Sequence, residues 1–461
     1  MSDWSQGYPT DSAYIDAIQT EITPWRWAQA MHFGGLSCPD PGKPFRFLEL
    51  GCGSAMTLIG LAAAYPWAEF TGYDFMPEHI VMANRLIAEI GLTNIEVLEG
   101  SFAEMAANPP AEKYDFAAAH GVWTWVPPEV REEIVDVLGT WMAPGAVAYF
   151  GYNAAAGWCS LAPVRKIFRS APMARSADER YGPARAAAQA WVDMMADGYP
   201  QMELLWNKLS EAPDHFLAHE IASPFGTGKW MEDLGRPLER AKMAFAGPAV
   251  LVEHMEALYL DAAEMDFLKK AVDGGWGETA RDLLLRRTFR NDLFHRGAMK
   301  MSGPAMVDNM RGIEVVPWDP ALEMGTHPSV GDQLKRGLPD DVLDGLKDLA
   351  GDGGRTFGDC MAALDVPAAQ AFQVVMTAYV SGNLLDLRPE AQREAAQDGC
   401  DRFNAAMMRR LKSRKPMPGF MSPAWGGPIQ FGMKAHRAVI AGEAEDSFGL
   451  ADRMATLGIA V

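Results

Sequence analysis

The chain has 461 residues, too many for one hydrophobic core, so two or three domains are expected. Hydrophobic residues make up 49% and charged residues 22%, the balance of a globular protein. Lys and Arg total 41 against 60 Asp and Glu, and a net charge of -19 argues against an extended nucleic-acid backbone as main partner, leaving a basic protein or a neutral small molecule.

In chain order, residues 1–44 read as an N-terminal lid segment, in which Tyr8 and Tyr14 could close over a ligand. Phe45 to Leu50 is an apolar run that ends in glycines, hence a buried strand. Ala55 to Ala64 has helical composition and stops at Tyr65-Pro66. Glu69 to Tyr73 is a second strand, followed by Asp74. Pro77 opens a helix that Gly91 closes. Asn94 to Leu98, Tyr114 to Ala119 and Val147 to Tyr152 are further strands, with a helix over Pro128 to Met142. Strands separated by helices imply right-handed βαβ units and a parallel sheet, an α/β core over residues 45–159.

Residues 160–228 lose strand-like alternation and read as a helical insertion, which is also the surface expected to serve a homodimer. In the next block, 229–311, the short runs 242–246 and 249–252 flank Gly247-Pro248 and suit a final strand pair, so that the sheet closes near residue 253. Leu258 to Arg296 reads as helical. Residues 312–340, rich in Pro, Gly and Asp, read as a linker. Residues 341–461 read as a mostly α C-terminal domain, whose short helices over Asp341–Leu349, Thr356–Ala362 and Pro367–Ser381 suit a winged-helix-like module.

The five cysteines form no CxxC pair and the nine histidines show no zinc spacing, so reduced thiols in the cytoplasm and no metal are expected. No run approaches the ~18 apolar residues of a membrane span.

The chemistry is concentrated after the first strand. A glycine-rich turn lets backbone approach a nucleotide-like ligand, and an acid after the second strand can grip ribose hydroxyls. Asp74 lies 21 residues beyond Gly53, near the ~20-residue offset of that arrangement. Gly51-Cys52-Gly53-Ser54-Ala55-Met56 lacks the third glycine of a dinucleotide fingerprint. A ligand without phosphates, S-adenosylmethionine, fits that loop better than a pyrophosphate. Gly51, Cys52, Gly53, Asp74 and Phe75 are thus expected to hold the cofactor. Glu49 before the turn, Ser101 and Phe102 after the third strand and His120 at the end of the fourth join them because they resemble the positions at which class I methyltransferases carry an acid, hold the adenine and end that strand. Asn108-Pro109-Pro110 is a decoy, because it precedes its strand and Ala111 takes the aromatic place that a planar-nitrogen site would need.

The run from Tyr114 through His120-Gly121-Val122-Trp123-Thr124-Trp125 to Pro127, with Tyr152-Asn153 to Gly157-Trp158, resembles bacterial class I methyltransferases that bear a methyltransferase regulatory domain. Ala156 replaces the proline common in their Y-N-x-x-P-G-W. His219-Glu220, Ala241 to Phe245, Phe289-Arg290, Phe294 and Arg296 resemble the family's middle segment, and Asn404, Met421-Ser422-Pro423 and Gly426-Gly427 its end. The resemblance implies a Rossmann-like fold and, from relatives that act on outer-membrane proteins, a protein-lysine acceptor. Methyl transfer is an in-line displacement that needs aligned partners and excluded water. His120, Tyr152 and Asn153 are the expected catalytic residues, with Tyr14, Trp123 and Trp158 about the substrate; core packing is the expected role of Trp125. The rival readings are a small-molecule, glycan or lipid-precursor methyltransferase and a non-catalytic scaffold that binds the cofactor.

Overall fold

Alternating apolar side chains set the layers of this protein. The structure, a computed structural model, describes residues 18–172, 177–213, 217–223, 225–318, 337–351, 354–412, 419–430, 454 and 457–459. Seven strands form one sheet in the order β3-β2-β1-β4-β5-β7-β6. They are β1 (Arg46–Leu50), β2 (Glu69–Asp74), β3 (Ile95–Glu99), β4 (Tyr114–His120), β5 (Met142–Asn153), β6 (Ala244–Pro248) and β7 (Phe289–His295). Strands β1 to β5 run parallel, and β7 is antiparallel to both β5 and β6. The order turns back between β1 and β4, which opens a crevice at the carboxyl ends where ligands of such sheets bind.

Because side chains alternate along a strand, Phe47, Phe116 and Tyr149 join one core and Leu48, Ala117 and Phe150 the other. The first core is covered by α1 (Pro24–Phe33), α2 (Met56–Ala64) and α3 (Pro77–Ile90), the second by α4 (Phe102–Ala107) and α5 (Pro128–Trp141). Trp27 of α1 stacks on Tyr149 at 5.3 Å and on Phe47 at 5.7 Å, tying the N-terminal segment to the sheet.

All nine residues of α2 are buried. The helix lies between the sheet and a C-terminal layer, the helix Glu390–Lys412 with the hairpin β11 (Phe420–Ser422) and β12 (Gly427–Ile429). Arginines fasten that layer to helix ends. The buried Arg388 donates to Ala64 O at 2.9 Å and to Pro423 O at 3.0 Å, and Arg402 donates to Ile90 O at 2.7 Å. Guanidinium donors satisfy carbonyls that a helix C-terminus leaves without an intrahelical partner.

The insertion has its own core. Helices α6 (Ala155–Trp158), α7 (Ala162–Arg169), α8 (Ala177–Met195) and α9 (Pro200–Leu209) pack Leu161, Val164, Phe168, Trp206 and Ile221 together.

Three expectations change. The sheet does not close near residue 253. Leu251–His254 is a 3-10 turn, and the partner of β6 is β7, inside the stretch expected to be helical. Its polar sequence hides it: Arg290, Asn291 and Asp292 are all buried. Arg290 satisfies this by ion pairs with Asp292 at 2.7 Å, Asp282 at 2.6 Å and Glu278 at 2.8 Å. Such a network forms only once the helix Gly277–Leu285 packs on the strand, and removing one partner from a buried pair costs about 3–5 kcal/mol.

Part of the stretch expected to be a linker is regular structure: Glu314–Pro317 is a strand, β8. It pairs with β9 (Arg355–Thr356) and β10 (Leu384–Leu387) in a three-stranded antiparallel sheet. Residues 319–336 lie outside the described residues. The helices Asp340–Ala350, Phe357–Ala363 and Ala368–Val380 stand within one residue of their expected bounds. Among the described residues, no helix is long and apolar enough to cross a membrane.

Candidate functional site at the carboxyl ends of the sheet

The turn after β1 runs with three residues in the left-handed region, Gly51 at φ 67°, Gly53 at 55° and Ala55 at 56°. The two glycines adopt this readily, and Ala55 adopts it at a cost. The turn is fastened to the end of β2: the amides of Gly51 and Cys52 donate to Tyr73 O at 2.8 and 3.0 Å, and that of Gly53 to Asp74 Oδ2 at 2.9 Å. A Cβ on Gly51 would come within 2.6 Å of Val122 Cγ2, so the backbone there is close to the loop after β4.

Asp74 holds a second turn with its other oxygen. Oδ1 accepts from the Met76 amide at 2.9 Å and lies 3.0 Å from His79 Nδ1. Its carbonyl accepts from the Gly100 amide at 3.1 Å, which brings Ser101 and Phe102 beside it. Ser101 caps α4 in a capping box with Glu104, and Phe102 and Phe75 are half-buried.

Glu49 is only 6% exposed, and its Oε2 has no hydrogen-bond partner among the described residues. Burial, and secondarily the charge of Asp74, push its carboxyl up to about 8. Burial and then the same two acids push the Cys52 thiol well above its ordinary range, which makes it a poor nucleophile. Two buried carboxyls beside a glycine turn, one lacking a partner, leave a place for a cationic ligand. S-adenosylmethionine carries a sulfonium and an ammonium, so these residues fit it.

His120, at the end of β4, stacks against Tyr149 and lies 5.2 Å from the Phe289 ring. The Tyr149 hydroxyl donates to Asn291 Oδ1 at 2.6 Å, so it accepts from His120 Nδ1 at 3.0 Å and Nε2 keeps its lone pair. Burial lowers the His120 pKa, opposed by the nearby Glu21 carboxylate, and the ring is neutral near pH 7. Gly151 makes room for it, since a Cβ there would run into the ring.

The remaining expected residues divide by face. Asn153 shares the Tyr149–Gly151 face of β5, with its amide donating to Thr124 Oγ1 at 3.1 Å and its Nδ2 to Glu220 Oε2 at 3.4 Å. Tyr152 points the other way. It is fully buried, and its hydroxyl donates to Asp292 Oδ2 at 2.6 Å, so its geometry is that of a strut under the Arg290 network. Trp123 is 1% exposed and meets Phe150 edge-on at 6.0 Å, inside the second core and not in the crevice. Trp158 is half-buried against the insertion. Trp125 is also half-buried, against Gly226, not in the core. Tyr8 and Tyr14 lie outside the described residues. The segment that follows them reaches the first turn of α2, where the Gln19 amide donates to Thr57 Oγ1 at 2.9 Å.

One residue outside the expected site set joins this face. Glu220 sits on the π-helical turn Ala218–Ala222, by which the insertion returns to the sheet. Burial pushes its carboxyl up to about 7. A signal was available, the polar His219-Glu220 pair within an otherwise apolar stretch, but only the fold brings it to β5.

Comparison with known proteins agrees with this layout. A family model described as a methyltransferase domain matches residues 47–145. One described as a predicted methyltransferase regulatory domain matches residues 213–296, which include β6 and β7. An uncharacterized protein of Synechocystis is 29% identical over 65% of this chain and 60% of its own length. An uncharacterized protein of Rickettsia prowazekii is 24% identical over 67% of this chain and 56% of its own. The chain thus matches less than two thirds of either relative. PKMT2 from Rickettsia typhi superposes with a TM-score of 0.62 and 17% identity over 81% of this chain and 76% of that one, which shows a common fold. The segment that matches the regulatory-domain model contributes two strands to the same sheet that carries the methyltransferase-domain match, so the chain holds both matches, a methyltransferase domain and a methyltransferase regulatory domain, in one sheet.

Proposed function

We propose that the protein methylates the ε-amine of a lysine on a protein. The observation that carries this reading is the acid-bearing strand end, where Glu220 is held on Asn153 along the same face as the neutral His120. A cationic amine suits that wall better than a planar amide does. The likeness to PKMT2, which covers 81% of this chain, supports it, and a second structure of PKMT2 is a complex with AdoHcy.

S-adenosylmethionine supplies a methyl group activated by its sulfonium. In this reading the residues act as follows. Glu49 takes the ligand's ammonium, relieving its own unpartnered burial. Asp74 takes the ribose hydroxyls while its amide bonds keep both turns in place. Ser101 and Phe102 flank the adenine. His120, Tyr149 and Phe289 wall the reacting region against water, which strengthens every charge interaction inside. Asn153 keeps its side-chain carbonyl for the incoming amine, because its Nδ2 is engaged with Glu220.

The test is incubation with methyl-labelled cofactor and cell extract that includes an outer-membrane fraction. Acid-stable label recovered as methyl-lysine is expected. Label confined to lipid, glycan or small molecules would sink the acceptor assignment, and cofactor binding without any transfer would favour a scaffold.

A further inference from the structure

Resting on that reading, we propose that the Glu220 carboxylate receives the proton that the acceptor ammonium must lose before it can attack. A lysine ammonium, with an ordinary pKa of about 10.4, has no lone pair to offer. Some group at the strand ends has to take its proton.

Position singles out Glu220. Tyr149, Gly151 and Asn153 lie on one face of β5, successive ones about 7 Å apart. His120 covers Gly151, Asn153 is the next step along, and Glu220 Oε2 lies 3.4 Å from its Nδ2. The turn that carries Glu220 is built to stay there. Arg165 of α7, 5% exposed, spends its guanidinium on the backbone, donating to Glu220 O at 2.9 Å and Ser223 O at 3.0 Å. Among the described residues the carboxylate accepts a hydrogen bond from the Asn153 amide and has Arg165 as the charged neighbour that lowers it. Lys229, beyond the Asn153 carbonyl, directs its ammonium to Thr227 Oγ1 at 3.0 Å.

Chemistry agrees with position. A proton acceptor works best when its affinity lies near the working pH. Burial brings Glu220 up to about 7, whereas the same effect lowers His120. Glu220 is therefore the stronger base of the two. The ammonium N–H bond breaks and its proton passes to Glu220. The freed lone pair forms the N–CH3 bond while the S–CH3 bond breaks, its electron pair staying on sulfur. The products are a methylated ammonium and a neutral thioether, and Glu220 returns its proton to solvent.

The decisive variant is Glu220→Gln, with Glu220→Asp as the conservative partner. Glu220→Gln should bind cofactor with unchanged affinity by calorimetry and lose roughly 10²–10⁴-fold in single-turnover transfer. The acidic limb of the wild-type rate profile, with its midpoint at about pH 7, should vanish, and Glu220→Asp should recover part of the rate. Independently of turnover, infrared difference titration of the cofactor-free wild type should show a protonated-carboxyl band bleaching through about pH 7 that Glu220→Gln lacks. If the wild type methylates lysine and Glu220→Gln matches it in rate and pH profile, the proton-acceptor role is wrong while the lysine reading stands. If the wild type methylates only some other acceptor, both fall. A band with an ordinary carboxyl midpoint also overturns the proposal.

Discussion

Glu49→Gln should make the cofactor-free protein more stable at alkaline pH while weakening its hold on the cofactor. The Glu49 carboxyl is raised from 4.5 to about 8 by burial and by Asp74. The sign follows from linkage: with the folded value raised, stability is full below about pH 4.5 and is lost as pH climbs through about 8, because the unfolded chain gives up the proton first. At about 1.4 kcal/mol for each tenfold in proton affinity, the loss amounts to at most about 5 kcal/mol. Glutamine carries no charge, so it escapes the loss. Its amide nevertheless inherits a position whose Oε2 has no partner, at a cost of about 1–3 kcal/mol. The variant should therefore gain roughly 2–4 kcal/mol over the wild type above pH 8 and fall below it by about 1–3 kcal/mol near pH 4.5. Urea unfolding of both proteins at the two pH values measures this. Calorimetry with S-adenosylmethionine should show about tenfold to hundredfold weaker binding, the worth of a hydrogen bond to a charged group. A stability difference that does not change sign between the two pH values, or an unaltered affinity, would refute the reasoning.

Three smaller perturbations test the strand end and the backbone. Tyr152→Phe should cost about 1–2 kcal/mol by urea midpoint and leave transfer intact; a folded variant without transfer would return Tyr152 to the reaction. Gly151→Ala should displace the His120 ring, destabilise by about 1–3 kcal/mol and slow transfer, and an unmoved His120 ring resonance would contradict the packing. Lys242→Gly, at an exposed helix end with φ 58°, should raise the unfolding free energy by about 1 kcal/mol without touching activity; no rise would mean that the backbone there is unstrained.

Local signals carried far in the first half of the chain. Phe47, Leu48 and Leu50 put apolar side chains on both faces of β1 because helices cover both, so the run announces a buried strand even with Glu49 in it. The helix from Pro77 to Ile90 could be bounded from its proline and from Gly91, which takes φ 75° at the C-cap. Strand β7 shows where such signals stop. Its buried Arg290, Asn291 and Asp292 break the apolar pattern, and each is stabilised by groups supplied from distant elements.

The same division runs through the site. The sequence by itself determined the glycine turn, Asp74 at its offset and the strand ends at His120 and Asn153, because these depend on backbone conformation and on spacing within a few consecutive elements. Only the tertiary structure decided which way Tyr152 and Trp123 face, since a side chain's face depends on register across β5 and β7. It alone left Glu49 without a partner and set Glu220 on Asn153, for burial and distance between residues 67 positions apart are properties of the folded chain.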